Sequence, residues 1–275
     1  MIELPEALTY KKDLEQYVVG RTIARVYPPS SPYKFCWFNG EPERYHERLA
    51  GKRVAGADAF GIYGELELED DMSLAFNDGV NVRLVEPGDK RPPKYQLMAE
   101  FLDGSALVFS VAMYGGIICH GKDYDNEYYV RSREGISPMD IRFNLEYFGN
   151  MMRSVKPSVS AKAFLATEQR IPGLGNGCLQ DILFKARMHP KRKLAAWSGE
   201  DAARVFSAIK DVMADMTAKS GRDTEKDLLG HAGGYKTVMS KNTWDKGCPV
   251  CGGRIIKESY LGGAVYYCPV CQPLD

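Results

Sequence analysis

The stretch CPVCGGRIIKESYLGGAVYYCPVC, residues 248–271, sets two identical Cys-Pro-Val-Cys turns at either end of a short run of strand-forming residues. Each Cys-x-x-Cys turn aims two sulfurs at one point. With sixteen residues between the pairs, Cys248, Cys251, Cys268 and Cys271 have the spacing of a tetrahedral four-thiolate zinc site. Arg254–Tyr260 and Ala264–Tyr267 then read as the two strands of a ribbon that the metal closes. A redox dithiol is the competing reading, but it calls for one such turn beside a βαβ unit rather than two that face each other. Four sulfurs fill the coordination sphere and leave no position for a substrate. The expected single Zn2+ is therefore structural, and the chemistry has to be sought elsewhere in the chain.

Upstream, IPGLGNGCLQD at 171–181 puts a glycine-rich turn between two helical segments. Glycines at 173, 175 and 177 let the backbone approach an anion closely, a helix starting near Gly177 offers free N–H groups, and Asn176 adds a side-chain donor. Such a turn suits a phosphate; an αα-corner without a ligand has the same residues. Lys162, Arg170, Lys185 and Arg187 lie around it and favour nucleic acid. The charge distribution agrees. The chain is neutral overall, yet residues 1–150 hold 17 Lys and Arg against 24 Asp and Glu, and residues 151–275 hold 19 against 12. From Arg153 to Lys193 there are nine basic residues and only Glu168 and Asp181 as acids, a footprint for a polyanion or else a solvated basic face.

Segments 14–30, 49–69, 81–85 and 95–119 are rich in Val, Ile, Leu, Tyr and Phe and are broken by turn signals such as Asn77-Asp78-Gly79 and Asp103-Gly104. They predict a mostly β first domain, with a leading helix over about 5–18 and a hairpin turning at 103–105. From Ser137 onward the pattern becomes helical, with candidates at 140–153, 160–168, 177–186 and 199–219, the last capped by Ser198. Residues 220–246 lack periodicity and read as a linker. The expected division is a mostly β domain at 1–135, a helical domain at 136–225, and a linker with the zinc finger at 226–275. The fold class is α+β. Cys36, Cys119 and Cys178 stand singly and read as buried small hydrophobes, while the four histidines are too dispersed for a second metal site. No apolar run reaches the eighteen or so residues of a membrane span, and no nucleotide, flavin or nicotinamide motif occurs. A cytoplasmic monomer, nucleoid-associated when bound to DNA, is the expectation.

The zinc hairpin, Pro172-Gly-Leu-Gly-Asn176 with the later Met188-His-Pro190, and the opening Met1-Ile-Glu-Leu-Pro-Glu6 together resemble the Fpg/Nei family of formamidopyrimidine-DNA glycosylases and endonuclease VIII. The resemblance spans the whole chain. It implies an N-terminal β-sandwich with a long helix, a helix–two-turn–helix domain and a C-terminal zinc-finger β-hairpin. It also implies double-stranded DNA, damaged or abasic, as the partner, with excision of oxidised bases and cleavage of the abasic strand as the family activity. By the same resemblance Lys162 and Asn176, with Gly175 and Gly177 beside them, match phosphate contacts. Glu3 matches the acid that protonates the opening sugar, and both Glu3 and Glu6 are otherwise acids in the first turn of a helix.

Other matched positions depart from the family pattern. The proline whose secondary amine attacks the sugar is Ile2 here. Methionine before isoleucine is normally retained, which leaves the terminal amine on Met1. The lysine near the lesion falls on Ile62 in an ungapped reading, and the finger arginine that clamps a phosphate falls on Gly263. The side chains that fill the hole left by a flipped base have no clear match in Gly79-Val-Asn81 or Ala112-Met-Tyr114. The expectation is a DNA-binding member of the family whose glycosylase and lyase chemistry is lost or altered. Two alternatives stand beside it: a working glycosylase that uses the Met1 amine or a lysine such as Lys11 or Lys12, and a binder of structured RNA.

Overall fold

The computed structural model describes residues 1–274. Helix α1 (Leu4–Tyr17) starts after Glu3, which has an extended backbone at the N-cap, and Pro5 in the first turn suits a position that needs no N–H. Its Ala7, Tyr10 and Leu14 enter the core of the β-sandwich, while Leu4 and Leu8 pack into the core of the helical half. One helix thus serves two cores and holds residues 1–3 where the halves meet.

The sandwich is built from β1 (Ile23–Tyr27), β2 (Cys36–Phe38), a short α2 (Tyr45–Leu49), β3 (Val54–Phe60), β4 (Tyr63–Leu68), β5 (Met72–Asn77), β6 (Val80–Val85), β7 (Leu97–Phe101), β8 (Ala106–Val111) and β9 (Gly115–His120). One sheet has the order β1-β7-β8-β6 and the other β2-β9-β5-β4-β3. All pairs are antiparallel except β2 with β9. Alternation explains the layering. In β6, Val80, Val82 and Leu84 point into the core and Asn81 and Arg83 point out. The β7–β8 hairpin turns where expected, with the Asp103 carboxylate accepting from Ser105 N at 2.9 Å. Helix α3 (Glu127–Glu134) was not anticipated, because only Tyr129 and Ser132 of its eight residues are buried and no apolar stripe marks it. Tyr129 packs with Phe60, Ile62, Tyr63 and Ile118.

The helical half contains α4 (Leu145–Arg153), α5 (Ala161–Ala166), α6 (Asn176–Lys185) and α7 (Gly199–Ala218), around a core that includes Phe148, Phe164, Leu179, Ile182, Ile209 and Met213. Helix α4 begins five residues later than the periodicity implied, where the Asn144 side chain accepts from Tyr147 N at 2.9 Å. Ser198 caps α7 and exchanges bonds with Asp201. At the C-terminus β10 (Ile256–Tyr260) pairs with β11 (Gly263–Tyr267).

Residues 220–246 are not a simple linker. Arg222 and Leu228 are buried, Leu228 within the sandwich core, and Leu84 N donates to Leu228 O at 3.0 Å. Farther along, Val238 N and Met239 N donate to the Asp181 carboxylate on α6 at 2.9 and 2.7 Å. The segment is fixed by backbone hydrogen bonds and single buried side chains, so no periodic apolar pattern is needed to hold it. Among the described residues no helix is long and apolar enough to cross a membrane.

Candidate functional site

The N-terminal residues, the start of α6 and Arg222 form one buried ionic knot. The Glu3 side chain, 1% exposed, accepts from the amides of Gly175 at 3.1 Å, Gly177 at 2.7 Å and Cys178 at 2.8 Å, and from Arg222 Nη1 at 3.2 Å. The glycine-rich turn therefore does cradle an anion at a helix N-terminus, but the anion is the chain's own Glu3. Gly175 and Gly177, expected to face a phosphate, have their amides committed to that carboxylate. A Cβ at Gly175 would lie 2.7 Å from Glu3 Cδ, and one at Gly177 would collide with the Arg222 guanidinium. Their lack of a side chain serves this internal approach. Arg222, 3% exposed, also donates Nε and Nη2 to Glu6 at 3.0 and 2.8 Å, and Nη2 to Met1 O at 3.0 Å. Burial pushes the Glu3 carboxyl up, but Arg222 and the amides of Cys178 and Gly177 outweigh it and hold the group below the usual carboxylate range.

Above this knot lies an open pocket of about 420 Å³ at the junction of sandwich, helical half and finger, with Met1, Glu3, Arg222, Glu225, Lys241 and Tyr266 in its wall. The terminal ammonium of Met1 is 2.6 Å from Glu225 Oε2. Ile2 is 4% exposed in the sandwich core, and its amide donates to Asp78 O at 2.5 Å. Ile62 is absent from this pocket and belongs to the cluster under α3. Lys11 is turned away, its Nζ 3.1 Å from Asp58 Oδ1. Lys241 is the one lysine in the pocket wall among the described residues. Sequence reasoning missed it, and also Arg222 and Glu225, because all three lie in the aperiodic segment and carry no local motif.

Lys162 and Asn176 meet at the finger. Lys162, 3% exposed, donates Nζ to Tyr260 O at 2.6 Å and approaches Gly263 O at 3.5 Å; Asn176 Nδ2 donates to Ala264 O at 2.9 Å. Gln180 joins them, taking Tyr266 N at 3.0 Å. These bonds dock the β10–β11 hairpin on the helical half. Burial pulls the Lys162 ammonium down to about 8. An ammonium has three N–H donors and a carboxamide two, so each side chain keeps one N–H beyond those committed to the hairpin. Both nitrogens lie about the point where a Cβ on Gly263 would stand, Asn176 Nδ2 at 3.4 Å and Lys162 Nζ at 3.5 Å.

The sulfurs of Cys248, Cys251, Cys268 and Cys271 all lie within 4.8 Å of one another, with Sγ separations of 3.7 Å for Cys248–Cys271 and 3.5 Å for Cys251–Cys268. Zinc–sulfur bonds of about 2.3 Å in a tetrahedron set sulfurs about 3.8 Å apart, so the four-cysteine cluster fits one structural Zn2+.

The model of the formamidopyrimidine-DNA glycosylase N-terminal domain matches residues 1–133. Formamidopyrimidine-DNA glycosylases from Mycobacterium leprae and Pelotomaculum thermopropionicum are 27% and 28% identical to this chain, each over 99% of both chains. The chain belongs to the formamidopyrimidine-DNA glycosylase family. Among solved structures, Fpg from Lactococcus lactis in complex with abasic-site DNA superposes with a TM-score of 0.83 at 22% identity, covering 98% of this chain and 99% of that one. MutM (Fpg) from Thermus thermophilus gives 0.81 at 22%, covering 98% of each. The α+β architecture of sandwich, helical middle and zinc hairpin is thus the Fpg fold. Within it, position 2 is an isoleucine built into the sandwich core, and the finger presents Gly263 beside Lys162 and Asn176.

Proposed function

We propose that this protein binds duplex DNA, damaged or abasic, and that the glycosylase and AP-lyase chemistry of its family is lost or altered. The family supports DNA as the ligand, as does the Lactococcus lactis Fpg complex with abasic-site DNA. The leftover donors of Lys162 and Asn176, converging at Gly263, suit a phosphate oxygen. A glycine there leaves the backbone approachable.

The observation that carries the chemical part is Ile2. A lyase of this family needs a free, unprotonated amine that can reach the sugar C1′. Here the nitrogen of residue 2 is an amide bonded to Asp78 O, and the Ile2 side chain is core. With Met1 as the first residue, the terminal amine is an ammonium paired to Glu225. Glu3, the matching acid, accepts four hydrogen bonds and carries no proton to donate. Intact-mass measurement establishes the terminal residue. Incubation with abasic duplex and borohydride then tests the amine, and no covalent complex is expected. Efficient trapping that maps to Met1 or Lys241 would establish the working-glycosylase alternative instead. In competition, duplex with an abasic-site analogue is expected to displace RNA hairpins, and the opposite order would favour the RNA reading.

A further inference from the structure

A second open pocket, of about 600 Å³, lies on the sandwich between β2, the β5–β6 turn, β9 and the start of α3. Aromatic rings dominate its wall: Trp37, Phe38, Tyr63, Tyr124 and Tyr128. Asp78 and Asp125 are the only charged groups there, with no Lys, Arg or His among the described lining residues. Trp37 is 53% exposed even though its ring lies 6.1 Å from that of Tyr114, and Tyr128 is half exposed on the same side. Large ring faces are therefore left in water around a carboxylate.

Asp78 is the unusual member. Its backbone is fixed, with a φ of +51° in the β5–β6 turn and its carbonyl bonded by Ile2 N. Among the described residues nothing donates a hydrogen bond to its carboxylate and no side-chain cation pairs with it; burial raises it to about 6, opposed by the terminal ammonium, which is itself bonded to Glu225. Ring faces of Trp and Tyr carry the negative lobe of the quadrupole, so they and the two carboxylates make the pocket attractive to a cation and hostile to a phosphate. A guanidinium would call for a bidentate planar partner, whereas rings around one carboxylate suit a rounded apolar cation. A neutral nucleobase could stack on the rings, but it would carry its phosphates past Asp125 with no neighbouring cation to hold them.

We propose that this pocket binds an alkylated ammonium group, seated against Trp37 and Tyr128 with Asp78 as its counter-ion. The ligand is either a free small amine or the modified lysine side chain of another protein, and the assignment does not rest on the DNA reading. The zinc-loaded full chain is titrated with tetramethylammonium chloride against sodium chloride of equal ionic strength, by calorimetry and tryptophan emission. The expected result is saturable binding of tetramethylammonium alone. Both Trp37→Ala and Asp78→Asn should weaken it about tenfold. Trp37 is exposed and asparagine accepts positive φ, so neither change should disturb the fold, and an unchanged urea-unfolding midpoint checks this. A trimethyl-lysine peptide binding at least tenfold tighter than tetramethylammonium identifies a protein side chain as the source; similar affinities identify a free amine. Absence of saturable binding, binding indifferent to both substitutions, or emission quenched by adenosine but not by tetramethylammonium overturns the assignment.

Discussion

Replacing Arg222 with methionine removes the charge that joins the N-terminus to α6 while keeping the apolar stem. The variant loses four side-chain hydrogen bonds, two to Glu6, one to Glu3 and one to Met1 O. Glu3 keeps its three amide donors, but Glu6 keeps only the backbone N–H groups of Glu3 and Arg222. Removing one partner of a buried ion pair costs about 3–5 kcal/mol because the remaining charge has lost its compensation. Against a typical net stability of about 5–15 kcal/mol, that is a large fraction. The pH dependence has a definite sign. In the parent, Arg222 helps hold Glu3 below the usual carboxylate range, so the stability it adds is present above the unfolded carboxyl pKa and is lost as pH falls through the lower folded value. In the variant, burial of Glu3 loses its main opponent and raises that carboxyl, which then takes up its proton at a higher pH than in the parent. The gap between parent and variant should therefore be widest near pH 7 and narrow toward pH 5. Urea unfolding at both values measures it, and Arg222→Met in a Glu3→Gln/Glu6→Gln background should cost much less than in the parent. A loss under about 1 kcal/mol at pH 7, or a gap independent of pH, would refute the knot as the element that joins the two halves.

Metal analysis should find about one zinc per chain, and its removal should weaken DNA binding while the sandwich stays folded; near-zero zinc with the four cysteines found as disulfides after fresh reduction would contradict this. Lys162→Ala should weaken binding to all duplex sequences alike and flatten the salt dependence. Because burial pulls the Lys162 ammonium to about 8, its contribution should be present below that pH and disappear as pH rises through it, a step that Lys162→Ala abolishes. Ile2→Pro should let methionine be removed, lose about 1–2 kcal/mol of core burial, and give some borohydride-trapped complex with abasic duplex where the parent gives none; a variant that folds and is processed but never traps would mean the pocket is no longer shaped for the sugar.

The parts of this molecule that could be read along the chain are those whose cause is local. The four cysteines carry their geometry in their spacing, Ser198 announces α7 through a cap and three residues of context, and the β7–β8 hairpin is written in Asp103-Gly104. Helix α3 has no apolar stripe because it buries little, so its sequence carries no period to detect. The glycine-rich turn was legible in kind, as a cradle for an anion, but not in identity. Its ligand Glu3 lies 172 residues from Gly175, and Arg222, which neutralises the pair, lies in a segment held by backbone bonds rather than by pattern. That substitution of an internal carboxylate for an external phosphate bears directly on how DNA could be held. If DNA is bound as proposed, the amides of Gly175, Gly177 and Cys178 are already committed to Glu3, and the side-chain donors left for a phosphate are the single unused N–H groups of Lys162 and Asn176 where Gly263 leaves room. Hairpin docking and phosphate contact then depend on the same two side chains, so a change that loosens the finger should weaken DNA binding even when no zinc is lost.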